Sequence, residues 1–163
     1  MKAKELSIQT WLNTNSDFSI NLEDGVIKYI HVFQMLCPGC VYYGIPQTIE
    51  VFKKFNSPKF QVMALHSVFE NHHVMTQDAL EVFIHEWKLT FPVGIDKRLE
   101  NEWMPETMKA YQLQGTPSTI VIDGKGKVRL CHFGHFEMEQ LEVFLNKLVE
   151  EQQSAIPLNN KES

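Results

Sequence analysis

The chain has 163 residues, 44% of them hydrophobic and 21% charged, with a formal net charge of −5. That composition fits one globular domain with room for a sizeable core. The acidic balance, with no Lys/Arg cluster beyond Lys53-Lys54, excludes the electrostatic footprint of a nucleic-acid binder, and no apolar stretch is long enough to span a membrane.

The opening Met1-Lys2-Ala3-Lys4-Glu5-Leu6 carries charge but lacks the apolar run of a secretory signal, so a cytoplasmic address is expected. Ile27 to Phe33 reads as a strand and Val41 to Phe55 as the helix after it. Phe60 to His66 is a second strand. Thr76 is a plausible N-cap for a helix whose Leu80, Phe83, Ile84 and Trp87 follow the i, i+3, i+4, i+7 spacing of a core face. Phe91 to Ile95 is a short extended piece, Pro105 starts a helix reaching Tyr111, and Ser118 to Ile122 is a strand. Asp123-Gly124-Lys125-Gly126 makes the turn into a returning strand, Val128 to Phe133. A last helix from about Glu137 to Glu150 buries Met138, Leu141, Leu145 and Leu148. Residues 1–152 form a single domain, and 153–163 are a polar, frayed tail. Strand–helix alternation followed by a hairpin and a helix is an α/β order.

Between the first strand and the first helix stands Cys37-Pro38-Gly39-Cys40. Two thiols at this spacing can close a reversible disulfide, and a helix N-terminus favours thiolate over thiol at Cys37. Cys40, one turn on, would be partly covered. With three cysteines in all, a secreted disulfide scaffold is excluded, and the pair is either catalytic or metal-binding. A closed zinc site needs four ligands, and no second Cys-x-x-Cys or spaced His pair supplies the missing half.

Strand, Cys-x-x-Cys at a helix start, Gly115-Thr116-Pro117 before a later strand, an Ile122-Asp123-Gly124 turn and a C-terminal helix together resemble the thioredoxin-like fold, in its TlpA/ResA-like branch. Trp11-Leu12-Asn13 followed by Leu22-Glu23-Asp24-Gly25 looks like that branch's N-terminal extension. The resemblance covers about residues 8–150 and implies a central mixed β-sheet with helices on both faces and an inserted βα segment. It also implies a thiol-disulfide oxidoreductase without a cofactor. Cys37 would attack a substrate disulfide and Cys40 would resolve the mixed disulfide, with Pro38-Gly39 tuning the potential. Pro117 would be a cis-proline facing the dithiol, and Thr116 before it would offer its backbone to an extended substrate. The partners implied are a disulfide or dithiol substrate, protein or small molecule, and a reductase that regenerates the pair. The chain itself is expected to be a monomer.

Three positions depart from the family pattern. His31 stands where relatives carry a buried Asp or an Asn; as a neutral imidazole it could accept the Cys40 proton, or its ring could merely satisfy a backbone carbonyl. Leu36 replaces the aromatic residue that usually precedes the first cysteine, which alters substrate contact. Pro46 lies six residues after Cys40, one more than usual, so the first helix is expected to hold an extra residue or a π-bulge near the site.

Two other functions compete. His66, His72 and His73, with Cys37 and Cys40, could form a soft-metal site, making the chain a copper chaperone. It could also be a non-catalytic, redox-sensitive thioredoxin-like binding module, a reading that retention of both cysteines and of Thr116-Pro117 disfavours. Cys131, on the returning strand, is expected to be a buried, inert thiol.

Overall fold

A computed structural model describes residues 1–155. The polar tail assigned to 153–163 therefore lies, from residue 156 on, outside the described residues. Six strands form one mixed sheet in the order β1-β4-β3-β2-β5-β6. They are β1 (Ile8–Leu12), β2 (Ile27–Phe33), β3 (Phe60–His66), β4 (Val93–Asp96), β5 (Ser118–Ile122) and β6 (Val128–Phe133). The strands β2, β3 and β4 run parallel, β5 and β6 continue antiparallel on one side, and β1 pairs antiparallel with β4 at the other edge. The N-terminal extension thus supplies a strand that the bulky but irregular Ile8–Leu12 run did not announce.

Every residue of β2 is buried, because both faces of the central strand are covered. Its odd-numbered residues Ile27, Tyr29 and Phe33 enter one core with Ile45 and Val51 of α1 (Ile45–Phe55), Leu80 and Ile84 of α2 (Gln77–Glu86), and Leu141, Leu145 and Leu148 of α4 (Met138–Ser154). Ile30 and Val32 enter a second core on the opposite face, with Met108 of α3 (Glu106–Ala110), Leu113, Leu22 and Ala3. Lys28, on that second face, is buried as well; its ammonium pairs with Asp24 and donates to the Val26 carbonyl, which is what makes a buried charge tolerable.

Thr76 caps α2 by accepting the Ala79 N–H, as the sequence predicts. That helix stops at Glu86, and Lys88 adopts a positive φ of 53°. Trp87 consequently leaves the helical stripe and is 37% exposed instead of joining the core, a correction to the expected apolar face. The helix after the dithiol is regular only from Ile45; Cys40–Gly44 forms a π-turn in which the Ile45 N–H reaches back to the Cys40 carbonyl. The displaced Pro46 is the sequence trace of that extra residue, sitting in the first turn of α1 where its missing N–H costs nothing.

Candidate redox site

The parallel strands β2 and β3 end side by side, Phe33 opposite His66, and the connection leaving the carboxyl end of β2 carries the dithiol. The turn from Gln34 to Cys37 is closed by the Cys37 N–H on the Gln34 carbonyl (3.1 Å). It is pinned from two sides. The buried Gln34 side chain accepts the Phe69 N–H (3.1 Å) and donates to Glu70 (3.3 Å), while His66 Nε2 accepts the Met35 N–H (3.2 Å). With its neighbours held, Leu36 is left pointing outward and 60% exposed.

Cys37 is half-buried and Cys40 fully buried, both as free thiols. The Cys37 carbonyl accepts the Val41 N–H (3.1 Å), so the helix begins at the first cysteine. The Cys37 thiol donates to the Thr116 carbonyl (3.6 Å), and the Cys40 N–H donates to Cys37 Sγ (3.3 Å). Burial, reinforced by the neighbouring Cys37 thiol, pushes the Cys40 thiol up to about 12, opposed by the Thr116 hydroxyl beside it and by the Gln34 backbone. The two cysteines therefore sit in opposite environments. The Thr116–Pro117 peptide bond is cis, and Pro117 packs against Gly39, where a Cβ would stand 3.4 Å from the proline ring.

His31 is 2% exposed, on the face of β2 beneath the π-turn. Desolvation lowers it to about 4, opposed by a hydrogen bond with the Cys40 backbone. Its Nε2 is buried without a hydrogen-bond partner among the described residues, and so is Thr116 Oγ1. Both unpartnered atoms belong to residues in contact with Cys40, one through its backbone and one beside its thiol.

The histidines proposed as metal ligands do not gather at the dithiol. His66 is buried, held near a pKa of about 4 by desolvation, and its Nε2 lone pair is occupied by Met35. His72 Nε2 instead meets the Trp103 carbonyl at 2.8 Å. Among the described residues, no group of three or more His, Cys, Asp or Glu side chains is arranged to hold a metal ion. Cys131 is exposed rather than buried, since β6 is the outermost strand and pairs only with β5. What the sequence did not single out is an apolar groove of about 640 Å³ beside the dithiol, lined by Pro38, Val41, Tyr42, Tyr43, Pro46 and Trp87. Tyr42 is 75% exposed, and Tyr43 stacks obliquely on His135 (centroids 4.7 Å apart).

No family model matches the chain. The thiol-disulfide oxidoreductase ResA of Bacillus thuringiensis subsp. konkukian (strain 97-27) is 30% identical over 131 residues, 79% of this chain and 68% of the relative. The chain belongs to the TlpA/ResA-like thiol-disulfide oxidoreductases. Two solved structures agree with this ResA-like assignment. A thioredoxin-like superfamily protein superposes with a TM-score of 0.87 at 44% identity, covering 91% of this chain and 96% of the other. A thiol-disulfide isomerase from Corynebacterium glutamicum gives 0.84 at 43% identity, covering 90% and 94%. The fold is thioredoxin-like, and the enzyme is a thiol-disulfide oxidoreductase whose relatives imply disulfide or dithiol substrates. Among the described residues, no helix of this ResA-like chain is long and apolar enough to cross a membrane.

Proposed function

We propose that Cys37 is the attacking thiol and Cys40 the resolving thiol of a disulfide reductase acting on protein disulfides with apolar flanks. The carrying observation is the asymmetry of the pair: Cys37 reaches the surface with the Cys40 N–H aimed at its sulfur, while Cys40 is buried behind it. Negative charge on Cys37 meets that donor and the helix start, whereas burial disfavours charge on Cys40.

In the first step the Cys37 thiolate attacks one sulfur of the substrate disulfide, forming a mixed disulfide and expelling the other sulfur as a thiolate. Cys40 then loses its proton and attacks Cys37, forming the Cys37–Cys40 disulfide and expelling the second substrate thiolate. Two electrons pass to the substrate, both released thiolates take up protons, and a partner reductase returns the dithiol. Thr116 and Pro117 border the attacked position, with the Thr116 carbonyl already at Cys37. Leu36, Tyr42, Tyr43, Trp87 and Phe133 are exposed hydrophobic residues on the elements around the dithiol, and none of the groove residues carries a formal charge. Such a rim favours aliphatic or aromatic neighbours of the substrate cysteine over the carboxylates of glutathione disulfide.

Insulin reduction driven by dithiothreitol tests the reading. Cys37→Ser should fall to the uncatalysed rate, and Cys40→Ser should accumulate a mixed disulfide through Cys37. Wild-type turnover by Cys37→Ser would overturn it.

A further inference from the structure

The reading of Cys40 as the resolving thiol raises the question of what delivers a fully buried sulfur to Cys37. We propose that Gly44 and His31 are a size-matched pair that holds the π-turn open, and that Gly44 is thereby a positioning residue for the resolving step.

A Cβ added at Gly44 would lie 2.3 Å from Cε1, 2.6 Å from Nε2 and 3.3 Å from Nδ1 of His31, so the imidazole occupies the space that any other residue's side chain would enter. Gly44 has φ −67° and ψ −45°, ordinary helical values. Glycine is therefore required by contact and not by backbone conformation. The ring is not a flexible tip that could step aside. It stacks on Phe33 (centroids 5.5 Å apart, planes 12° apart), and Phe33 packs on His66 (5.0 Å), whose Nε2 is tied to the Met35 backbone.

The same ring lies against the Cys40 backbone, whose carbonyl accepts the Ile45 N–H across the π-turn. On the other side of that residue, the Cys40 N–H donates to Cys37 Sγ at 3.3 Å. Cys40 is thus fixed at both backbone ends, by Cys37 and by the His31-filled turn. A displaced Gly44 would rotate the turn that carries the Cys40 thiol, whereas Cys37, held by Gln34 and Thr116, would stay in place. This role differs from proton acceptance by His31: it depends on the volume of the ring.

The test uses Ellman's reagent in stopped flow with the reduced full-length chain carrying Cys131→Ser throughout, so that the exposed third thiol releases no thionitrobenzoate and this background serves as wild type. Attack by Cys37 releases the first thionitrobenzoate and leaves the second bound as a mixed disulfide; attack by Cys40 on Cys37 releases the second. Gly44→Ala should slow the second release by about ten-fold while changing the first by less than about three-fold. Adding His31→Ala to Gly44→Ala should restore the second release to at least the rate of His31→Ala alone, because the new methyl group then occupies vacated space. A Gly44→Ala chain that releases the second equivalent at the wild-type rate, or that slows both releases equally, overturns the proposal. If Gly44→Ala does not fold, His31→Ala against His31→Ala/Gly44→Ala decides: equal or faster second release in the double variant supports the pair, and about ten-fold slower release overturns it. A wild-type chain that releases no second equivalent refutes the assignment of Cys40, which is a different failure.

Discussion

Acid should destabilise this protein through two buried histidines. His31 and His66 are each held near a pKa of about 4 in the folded chain by desolvation, against an ordinary value of 6.5. Between those values the unfolded chain binds a proton at each site that the folded chain excludes, so their contribution to stability is intact above pH 6.5 and is lost as the pH falls toward 4. Going from pH 7.5 to 5.0 should withdraw about 2 kcal/mol per histidine, or about 4 kcal/mol together, from a stability that for domains of this kind is roughly 5–15 kcal/mol. With a urea m-value of about 2 kcal/mol/M, the unfolding midpoint should drop by about 2 M. Asp96 acts in the opposite sense: burial raises its carboxyl above the usual carboxylate range, and a group raised on folding favours the folded state at low pH. It is common to all variants and cancels in their differences. His66→Gln keeps an acceptor for the Met35 N–H without titrating, and His31→Asn keeps a short polar side chain beneath the turn. Each single variant should lose about half of the pH-dependent drop, and the double variant most of it. Equilibrium urea unfolding at the two pH values measures this. An equal drop in wild type and in the double variant would refute the assignment of the pH dependence to these rings.

Asp96 accepts hydrogen bonds from Ser67 Oγ (2.8 Å) and from the Thr107 (2.9 Å) and Met108 (3.1 Å) N–H groups, tying β4 to the start of α3 and to the loop after β3. Asp96→Ala should cost about 2–4 kcal/mol in urea unfolding by leaving those buried donors unpaired, and Asp96→Asn less. Removing the Thr116 hydroxyl with Thr116→Val should slow the second thionitrobenzoate release by roughly ten-fold, since the Cys40 thiolate loses a donor at the moment its charge forms. Tyr42→Ala/Trp87→Ala should lower kcat/KM by about ten-fold for a peptide disulfide flanked by Phe or Leu, and by much less for one flanked by Gly and Ser, as expected when an aromatic groove supplies 1–2 kcal/mol or so of contact. Equal losses on both peptides would remove the groove from substrate recognition.

The parts of this molecule that were legible in its sequence are those where local chemistry and packing agree. The buried run Ile27–Phe33, the Thr76 cap and the Asp123–Gly126 turn each announce themselves by residue type, and all are present as read. The π-turn was legible for another reason: a proline moved by one position leaves a backbone count that a regular helix cannot absorb. Trp87 and Cys131 were misread because helical or strand alternation says nothing about where an element stops or which strand lies at the edge. α2 ends one residue before Trp87, and the sheet ends at β6. The strand β1 was missed because Ile8-Gln9-Thr10-Trp11-Leu12 does not alternate apolar and polar residues. His66 was misjudged as an available ligand because the acceptor role of Nε2 depends on the Met35 N–H, a contact set by the turn before Cys37 and not by β3 itself.

The residues that shape the resolving thiol lie on three separate elements, and this explains why no local motif contains them. β2 supplies His31, the first turns of the helix supply Cys40 and Gly44, and the segment before β5 supplies Thr116. Burial at this point works twice over. It raises the Cys40 thiol to about 12, which in the proposed mechanism keeps it protonated while Cys37 reacts, and it lowers His31 to about 4, which keeps the ring neutral and compact beneath the turn. A charged ring at position 31 would draw water toward the π-turn, and an Asp there would be too short to fill the space above which Gly44 sits. In that mechanism the same low polarity that makes the protein sensitive to acid also holds back the Cys40 thiol. Any substitution that admits water under Gly44 should bring the Cys40 thiol back down and lower stability at neutral pH in the same variant.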